Sequence, residues 1–325
     1  MLRAYGPGCD GSVVEAKLGT IPEGATWIDL EEPTPEEERL VERAVGFNVP
    51  TQQELQEIEP SSRLYARNGV LYMTVSVLCG VTDARPTTTP VGFVLGDKKL
   101  VTIRYATPKP VRAFADHVHR EPELARDAGT VIGRLLDAIV DRLADELEAV
   151  SDEIEEISGH IFAKNIKPRR IPANRLTALL TRVGQAQTLV AKIRYSAVSA
   201  SRMLSFLRSA APGHPAVGED VNDHLGSIAL DSNSLSEHAS FQSDQLIFLL
   251  DAALGLISIE QNAAMKVFSW VAVILMPPTL IAGIYGMNFE YFPELKWHYG
   301  YAISVAAMVA SAIVPFWILK RLRWI

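Results

Sequence analysis

The polar and apolar positions of this chain fall into three regimes. Over the first 120 residues short runs alternate. Residues 26–30 (TWIDL), 69–78 (GVLYMTVSVL), 89–95 (TPVGFVL) and 99–105 (KLVTIRY) are rich in β-branched and aromatic side chains with partial alternation, which predicts strands. Thr34-Pro35-Glu36-Glu37 predicts a helix start, with a hydroxyl cap, a proline at the first helical position and an acidic first turn. Pro50-Thr51 predicts a second helix running to Ile58. Residues 1–120 thus read as a small α/β domain.

Residues 121–215 follow a longer rhythm. Val131, Leu135, Ile139, Leu143, Leu147, Val150, Ile154, Ile157 and Ile161 recur every three or four residues, the mark of one long amphipathic helix. Its polar face is acidic: Asp145, Glu146, Glu148, Asp152, Glu153, Glu155 and Glu156. Residues 165–172 (NIKPRRIP) break it, a second long helix is predicted over 173–209, and 210–215 (AAPGHP) end that one.

The third regime has no breaker. From Val217 to Ile284 no proline occurs before Pro277. One helix of that length would be roughly 100 Å long at 1.5 Å per residue. A lone helix needs partners, so residues 216–264 read as an oligomeric stalk. The same run then becomes wholly apolar. Residues 265–287 and 299–319 each hold an uncharged stretch of the length, about 20 residues, that crosses a bilayer. Residues 288–298 are the loop between the spans, and 320–325 form a basic tail. Lys266, Lys320, Arg321 and Arg323 flank the spans, while the loop sets Lys296 against Glu290 and Glu294. The excess of positive charge places both chain ends in the cytoplasm. Trp297, Tyr299, Tyr301, Trp317 and Trp324 read as interfacial aromatics.

One face of the first span is distinct. Asn262, Met265, Phe268, Ala272, Met276, Thr279 and Gly283 are spaced by three or four, and Asp251 lies about three turns earlier on nearly the same face. The stripe is small, polar or sulfur-bearing. It serves either a water-filled path or a close packing seam. Two spans cannot enclose a pore, so a pore needs several copies around an axis. Pro277-Pro278 removes two backbone donors and frees carbonyls, which a water-filled path would satisfy.

Charge sharpens this division. Of 38 acids and 31 bases, residues 265–325 hold two and five, leaving the preceding part acidic by ten charges. An acidic balance argues against a nucleic-acid partner and permits cations. The two cysteines, Cys9 and Cys79, make no CxxC and fit a reducing compartment. The N-terminal run MLRAYGPGCDG has no apolar core, so no secretory signal is expected there.

Tyr285-Gly286-Met287-Asn288, followed by Phe289-Glu290-Tyr291-Phe292-Pro293-Glu294-Leu295, resembles the CorA family of magnesium transport proteins. That family carries GMN at the outer end of its first span and an MPEL-like loop after it; here the loop reads FPEL. The preceding MPPTLIAGIYGMN and the ending KRLRWI are also similar. The likeness is strong over 251–325 and collinear upstream, through IDLEEPTPEE, LLDAIVDRLADELEAVSDEIEEI and VGFVLGDKKLVTIRY.

The resemblance implies an α+β membrane protein. It would be a funnel-shaped homopentamer, with a cytoplasmic α/β domain, long "willow" helices, a stalk continuing into the pore-lining span, and the second spans as an outer ring. It implies a plasma-membrane (bacterial inner membrane) divalent cation channel for Mg²⁺ influx, with Co²⁺ and Ni²⁺ as secondary cargo. The membrane potential would drive entry, and cytoplasmic Mg²⁺ would close the channel. The chemistry agrees. Mg²⁺ dehydrates reluctantly and prefers oxygen, and a ring of Asn288 side chains with Gly286 carbonyls offers oxygen without fixed charge. Glycine and asparagine also serve as helix caps, and Gly286 is expected to supply backbone freedom for the turn.

Carried over residue by residue, Asn262, Met265, Phe268, Met276 and Thr279 fall on pore positions. Phe268 stands where leucine is expected and would make a dewetting gate or repack. Asp251 corresponds to an acidic ring below the membrane. Glu54 and Asp220 fall nearest the carboxylates that bind regulatory Mg²⁺ between subunits. Glu54 replaces an aspartate there, and the stalk after Asp220 is about one heptad longer. Each of the two also reads as a solvated surface acid.

Other patterns carry less. Gly6-Pro7-Gly8-Cys9-Asp10-Gly11 matches GxGxxG, but no strand is predicted before it and it opens the chain, which argues against a dinucleotide site. No GxxxxGK occurs. His117 and His119 form an HxH near Asp116 that reads as a solvated helix face, with metal binding as the alternative. No nucleophile–base set names an enzyme, and no organic cofactor is implied. Two rival functions remain: a Zn²⁺, Co²⁺ or Ni²⁺ transporter of the same superfamily, for which the stripe offers methionine but no His or Cys, and a non-conducting membrane-anchored sensor.

Overall fold

A computed structural model describes residues 1–15, 19–57, 59, 63–81, 85–162, 173–288, 290 and 297–321. Seven strands form one mixed sheet: β1 (Leu2–Gly6), β2 (Cys9–Val13), β3 (Trp27–Glu31), β4 (Leu64–Arg67), β5 (Val70–Cys79), β6 (Thr87–Leu95) and β7 (Leu100–Arg104). Their order is β2-β1-β3-β7-β6-β5-β4, with β3 and β7 parallel and the other neighbours antiparallel. Period-two alternation sorts the side chains. Trp27, Phe93, Leu95 and Leu100 enter one core; Ile28, Leu30, Val94, Val101 and Ile103 enter the other. Both faces are buried, which is why these strands read as nearly continuous apolar runs.

β1, β2 and β4 correct the sequence expectation, which held only the four central strands. The GxGxxG segment does follow a strand, β1. It leads into β2, its antiparallel partner, and not into a helix. Gly8 (φ 82°) and Gly11 (φ 81°) take left-handed backbone in and after the turn, so these glycines build a hairpin.

The predicted cap at Thr34 forms. Helix α1 (Pro35–Val45) starts with a capping box in which Glu37 N–H donates to Thr34 Oγ1 (3.3 Å) and Thr34 N–H to Glu37 Oε2 (2.8 Å). Helix α2 is shorter than expected, Gln52–Gln56, because Glu57 turns to extended backbone; Ile58 lies outside the described residues. Helix α3 (Lys109–Arg120) carries the helix face expected at His117 and His119, with bounds that the sequence reading did not give. Its Val111, Phe114 and Val118 join the Trp27 core.

Under the sheet, polar strand residues pair internally. Trp27 Nε1–H donates to Thr102 Oγ1 (2.9 Å), and Thr102 Oγ1–H donates to Asp29 Oδ1 (2.7 Å). Arg104 donates to Asp29 Oδ2 (2.9 Å) and to Glu31 (3.0 Å). Burial alone would lower the Arg104 pKa, but the two carboxylates outweigh it and hold the guanidinium charged. Parallel β3–β7 pairing sets Glu31 beside Arg104 and Asp29 beside Thr102, so the network depends on that register.

Helix α4 (Ala128–Phe162) buries all nine positions of the predicted stripe. It begins after a short 3₁₀ turn, Pro122–Ala125. Glu146, expected on the polar face, is buried and pairs with Arg142 one turn earlier. Helix α5 (Ala173–Ala210) is tied to α4 by Arg182, which bonds Glu153 (2.6 Å) and Glu156 (2.6 Å). The breaker 165–172 lies outside the described residues.

Helix α6 runs unbroken from Glu219 to Tyr285, 67 residues, through Pro277 and Pro278. Helix α7 spans Gly300–Arg321. Two compact units divide the chain. The first holds the sheet and the helices as far as Leu250, apart from the start of α5; the second holds that start (residues 173–176) and α6 from Asp251 onward together with α7. Both α6 and α7 are long and apolar enough to cross a membrane, and no residue in the most apolar window of α6 is buried.

Candidate functional site

The site is built on the last part of α6. Asn262, Met265, Phe268, Ala272, Met276, Thr279 and Gly283 are all exposed on this helix, with Phe268 at 74%. Ala272, Met276, Thr279 and Gly283 of this stripe line one groove together with Leu275, Leu280, Ile284 and Met287. The small side chains at Ala272 and Gly283 leave the hollow between the larger ones. Thr279 Oγ1–H donates to Leu275 O (2.7 Å), which leaves the lone pairs of its oxygen able to accept. Ser269 does the same toward Met265 O (2.9 Å).

The tripeptide stands where α6 ends. Gly286 N–H donates to Ala282 O (2.9 Å) and Met287 N–H to Ile284 O (3.3 Å). The last hydrogen bonds thus tighten from four residues to three, as helix ends commonly do. Gly286 is not in the left-handed region, which corrects the expected reason for a glycine. A Cβ there would sit 3.0 Å from Ala282 O, so close approach of backbone is what the glycine permits. Asn288 follows, exposed and outside any helix, free to present its amide. Tyr285 is half-buried at the helix end, and Glu290 is exposed. Glu294 and the FPEL segment lie outside the described residues, as do Lys296 and residues 322–325. At the far end of α7 the Arg321 guanidinium lies 5.5 Å over the Trp317 ring, an anchor suited to a membrane interface.

The acidic candidates are not gathered in one chain. Glu54 serves the cap of α2: Thr51 N–H donates to Glu54 Oε2 (2.7 Å), and Thr51 Oγ1–H to the same oxygen (2.9 Å). Asp220 lies in the first turn of α6 and lines a cleft with Glu23, Asp97, Lys98, Lys99 and Asp127, a lining that does not include Glu54. Asp251 is exposed on α6. Among the described residues no three His, Cys, Asp or Glu side chains are placed to hold one metal ion. His119 of the HxH pair is engaged, its Nδ1 donating to Asp10 O (2.6 Å).

The model of the family described as CorA-like Mg²⁺ transporter protein matches residues 22–321. The chain belongs to that family. The magnesium transport protein CorA of Haemophilus ducreyi is 31% identical over 303 residues, 93% of this chain and 92% of that protein. The magnesium transport protein CorA of Escherichia coli K12 is 29% identical over the same shares. Among solved structures, the complete CorA magnesium transporter from Methanocaldococcus jannaschii covers 100% of this chain and 98% of its own, with a TM-score of 0.76 and 22% identity. At that identity the likeness speaks for the CorA fold: an N-terminal α/β domain, long helices and two C-terminal apolar helices. The family is one of transporters, not enzymes.

Proposed function

We propose that this chain is a Mg²⁺ influx channel of the inner membrane, working as a homopentamer with both chain ends in the cytoplasm. The observation that carries this reading is the unbroken α6. It connects the acidic first unit to an exposed, polar-striped span and delivers Gly286-Met287-Asn288 at its end. Five copies would turn the stripe into a lined path and Asn288 into a ring of amide oxygens. Such a ring binds the water shell of Mg²⁺ without stripping it, weakly enough for release. Phe268, large and exposed, would form the narrowest apolar ring, where dewetting closes the path. Co²⁺ and Ni²⁺ would pass as secondary cargo.

Cytoplasmic Mg²⁺ would close the channel by binding better between subunits in the closed state. The placement of Glu54 and Asp220 apart in one chain is compatible with their meeting only across a subunit boundary. The double change Glu54→Ala with Asp220→Ala is expected to weaken inhibition by internal Mg²⁺; unchanged inhibition rejects the pair.

The decisive experiment is Mg²⁺ uptake into proteoliposomes under an inside-negative potential, at low internal Mg²⁺. Wild type takes up Mg²⁺, and Asn288→Ala abolishes uptake. Uptake of Zn²⁺ in place of Mg²⁺, or none of either by a folded oligomer, overturns the proposal.

A further inference from the structure

The starts of α4 and α6 and the turn between β6 and β7 line one cleft of about 780 Å³ in the first unit. Short-range chemistry fixes its walls. Gly129 lets the chain before α6 lie close against α4, because a Cβ there would run into Ala216 O. Ala216 N–H donates to His214 Nδ1 (3.3 Å), and His214 Nε2 meets Gly69 O at 3.1 Å, which ties this chain to the sheet. Across the cleft Gly96 N–H donates to Lys99 O (3.0 Å) and closes the tight turn that presents Asp97, Lys98 and Lys99.

The charges of this cleft are only partly used. Asp127 serves the start of α4: its carboxylate accepts from Thr130 N–H (2.7 Å) and Thr130 Oγ1–H (2.8 Å), and Arg126 pairs with it (3.0 Å). Glu23, Asp97, Glu219 and Asp220 remain, all exposed, together with Lys98 and Lys99. Among the described residues none of these six forms an ion pair. Solvated carboxylates in a wide cleft suit Mg²⁺, which keeps most of its water and takes one or two carboxylates. The lysines put positive charge into the same water. A lysine ammonium is a compact, hydrated point charge, and it repels a dication twice as strongly as a monovalent ion.

We propose that Lys98 and Lys99 set the affinity of the Asp220 cleft for Mg²⁺: they are resident positive charges that raise the concentration at which it loads. Four carboxylates against two ammonium groups leave a formal charge of −2, where the carboxylates alone would give −4. Halving the charge weakens dication binding without removing a ligand. Across about 8 Å of water each lysine weakens Mg²⁺ binding about threefold at low salt, and the pair about tenfold. Salt shrinks the effect by screening, whereas a packing role would not respond to salt. The inference rests on the reading that Asp220 binds Mg²⁺, and adds the residues that tune that binding.

The test measures Mg²⁺ binding to the full chain in nanodiscs by calorimetry and takes the component that Asp220→Ala removes. Lys98→Gln with Lys99→Gln is expected to tighten that component about tenfold at low salt and about twofold or less at high salt. Lys98→Arg with Lys99→Arg keeps the charge and is expected to keep the wild-type affinity. Where the double glutamine variant does not fold, Lys98→Gln alone, at the more exposed position, is expected to tighten binding about threefold. Unchanged affinity in the glutamine variants, or an equal change in the arginine variant, overturns the proposal and leaves the Asp220 site in place. The absence of any component that depends on Asp220 overturns both. Tighter binding with no change in the internal Mg²⁺ that halves uptake leaves the proposal standing and rejects closure by Mg²⁺ at this cleft.

Discussion

One helix lives in two solvents. From Glu219 to Leu250, α6 is amphipathic, and its buried seam sits on α4 and α5. From Asp251 to Tyr285 the same helix is apolar on nearly every face and, Ala253 apart, buries none of them fully. No cap, glycine break or loop separates the two parts. The change lies wholly in which faces are apolar. A one-sided stripe asks for a protein core, and an all-round apolar surface asks for lipid. The first unit pairs its buried charges internally at the Arg104–Asp29 pair under the sheet. The second exposes Asn262, Thr279 and Asn288 on one chain, which leaves them to cargo, water or further copies.

The comparison can be broken hardest at the buried pair. Arg104→Leu leaves the Asp29 carboxylate buried and uncompensated, so the first unit is expected to lose about 3–5 kcal/mol. Thermal unfolding of the purified chain checks this. A loss under about 1 kcal/mol would mean that water reaches Asp29 and that the first unit is not self-sufficient.

A matched pair of leucines sharpens it next. Leu136 is 0% exposed in the first unit, and Leu275 is 56% exposed on the span. Leu136→Ala is expected to lose about 2–5 kcal/mol through lost burial and a cavity. Leu275→Ala should lose less than about 1 kcal/mol where lipid covers it, since hydrocarbon replaces hydrocarbon. Equal losses would place Leu275 in a packed seam between copies.

The smallest effect lies on the acidic rim. Burial first, then the charges of Asp137, Asp145 and Asp231, raise the pKa of the Asp141 carboxyl. A raised carboxyl pKa means that the ionised form weakens the fold at neutral pH, and the weakness fades as pH falls through the folded value. Asp141→Asn should therefore stabilise the chain at pH 7 by about 0.5 kcal/mol or less, because the side chain is largely solvated. The gain should close in acid. A constant gain down to about pH 4 would assign it to packing instead.

Much of the fold was legible beforehand. Helix caps, long apolar periodicities and uncharged spans are local signals, and Thr34, the α4 stripe and both spans stand where they were expected. The missed elements have local reasons. β1, β2 and β4 are four or five residues long and mostly at the sheet's edges, with little alternation to read. Gln242, buried on α6, could have been noticed as a glutamine in a heptad-spaced series that is otherwise apolar but for Ser232. The reason for glycine at 286 could not, because it depends on the distance to one carbonyl.

The amino-acid order by itself determined where this chain is helical, where it is apolar enough to leave water, and that a Gly-Met-Asn tripeptide ends the first span. Those properties follow from the period of side chains around a helix and from the length of a bilayer, and each is read within one segment. Only the tertiary structure decided that β3 pairs parallel with β7, that Arg104 therefore meets Asp29, and that the amide oxygens of Gln187 and Gln242 have no partner among the described residues where three helices join. These depend on register between segments distant in the chain. A shift of one residue, which local periodicity barely notices, sends every side chain of a strand to its other face.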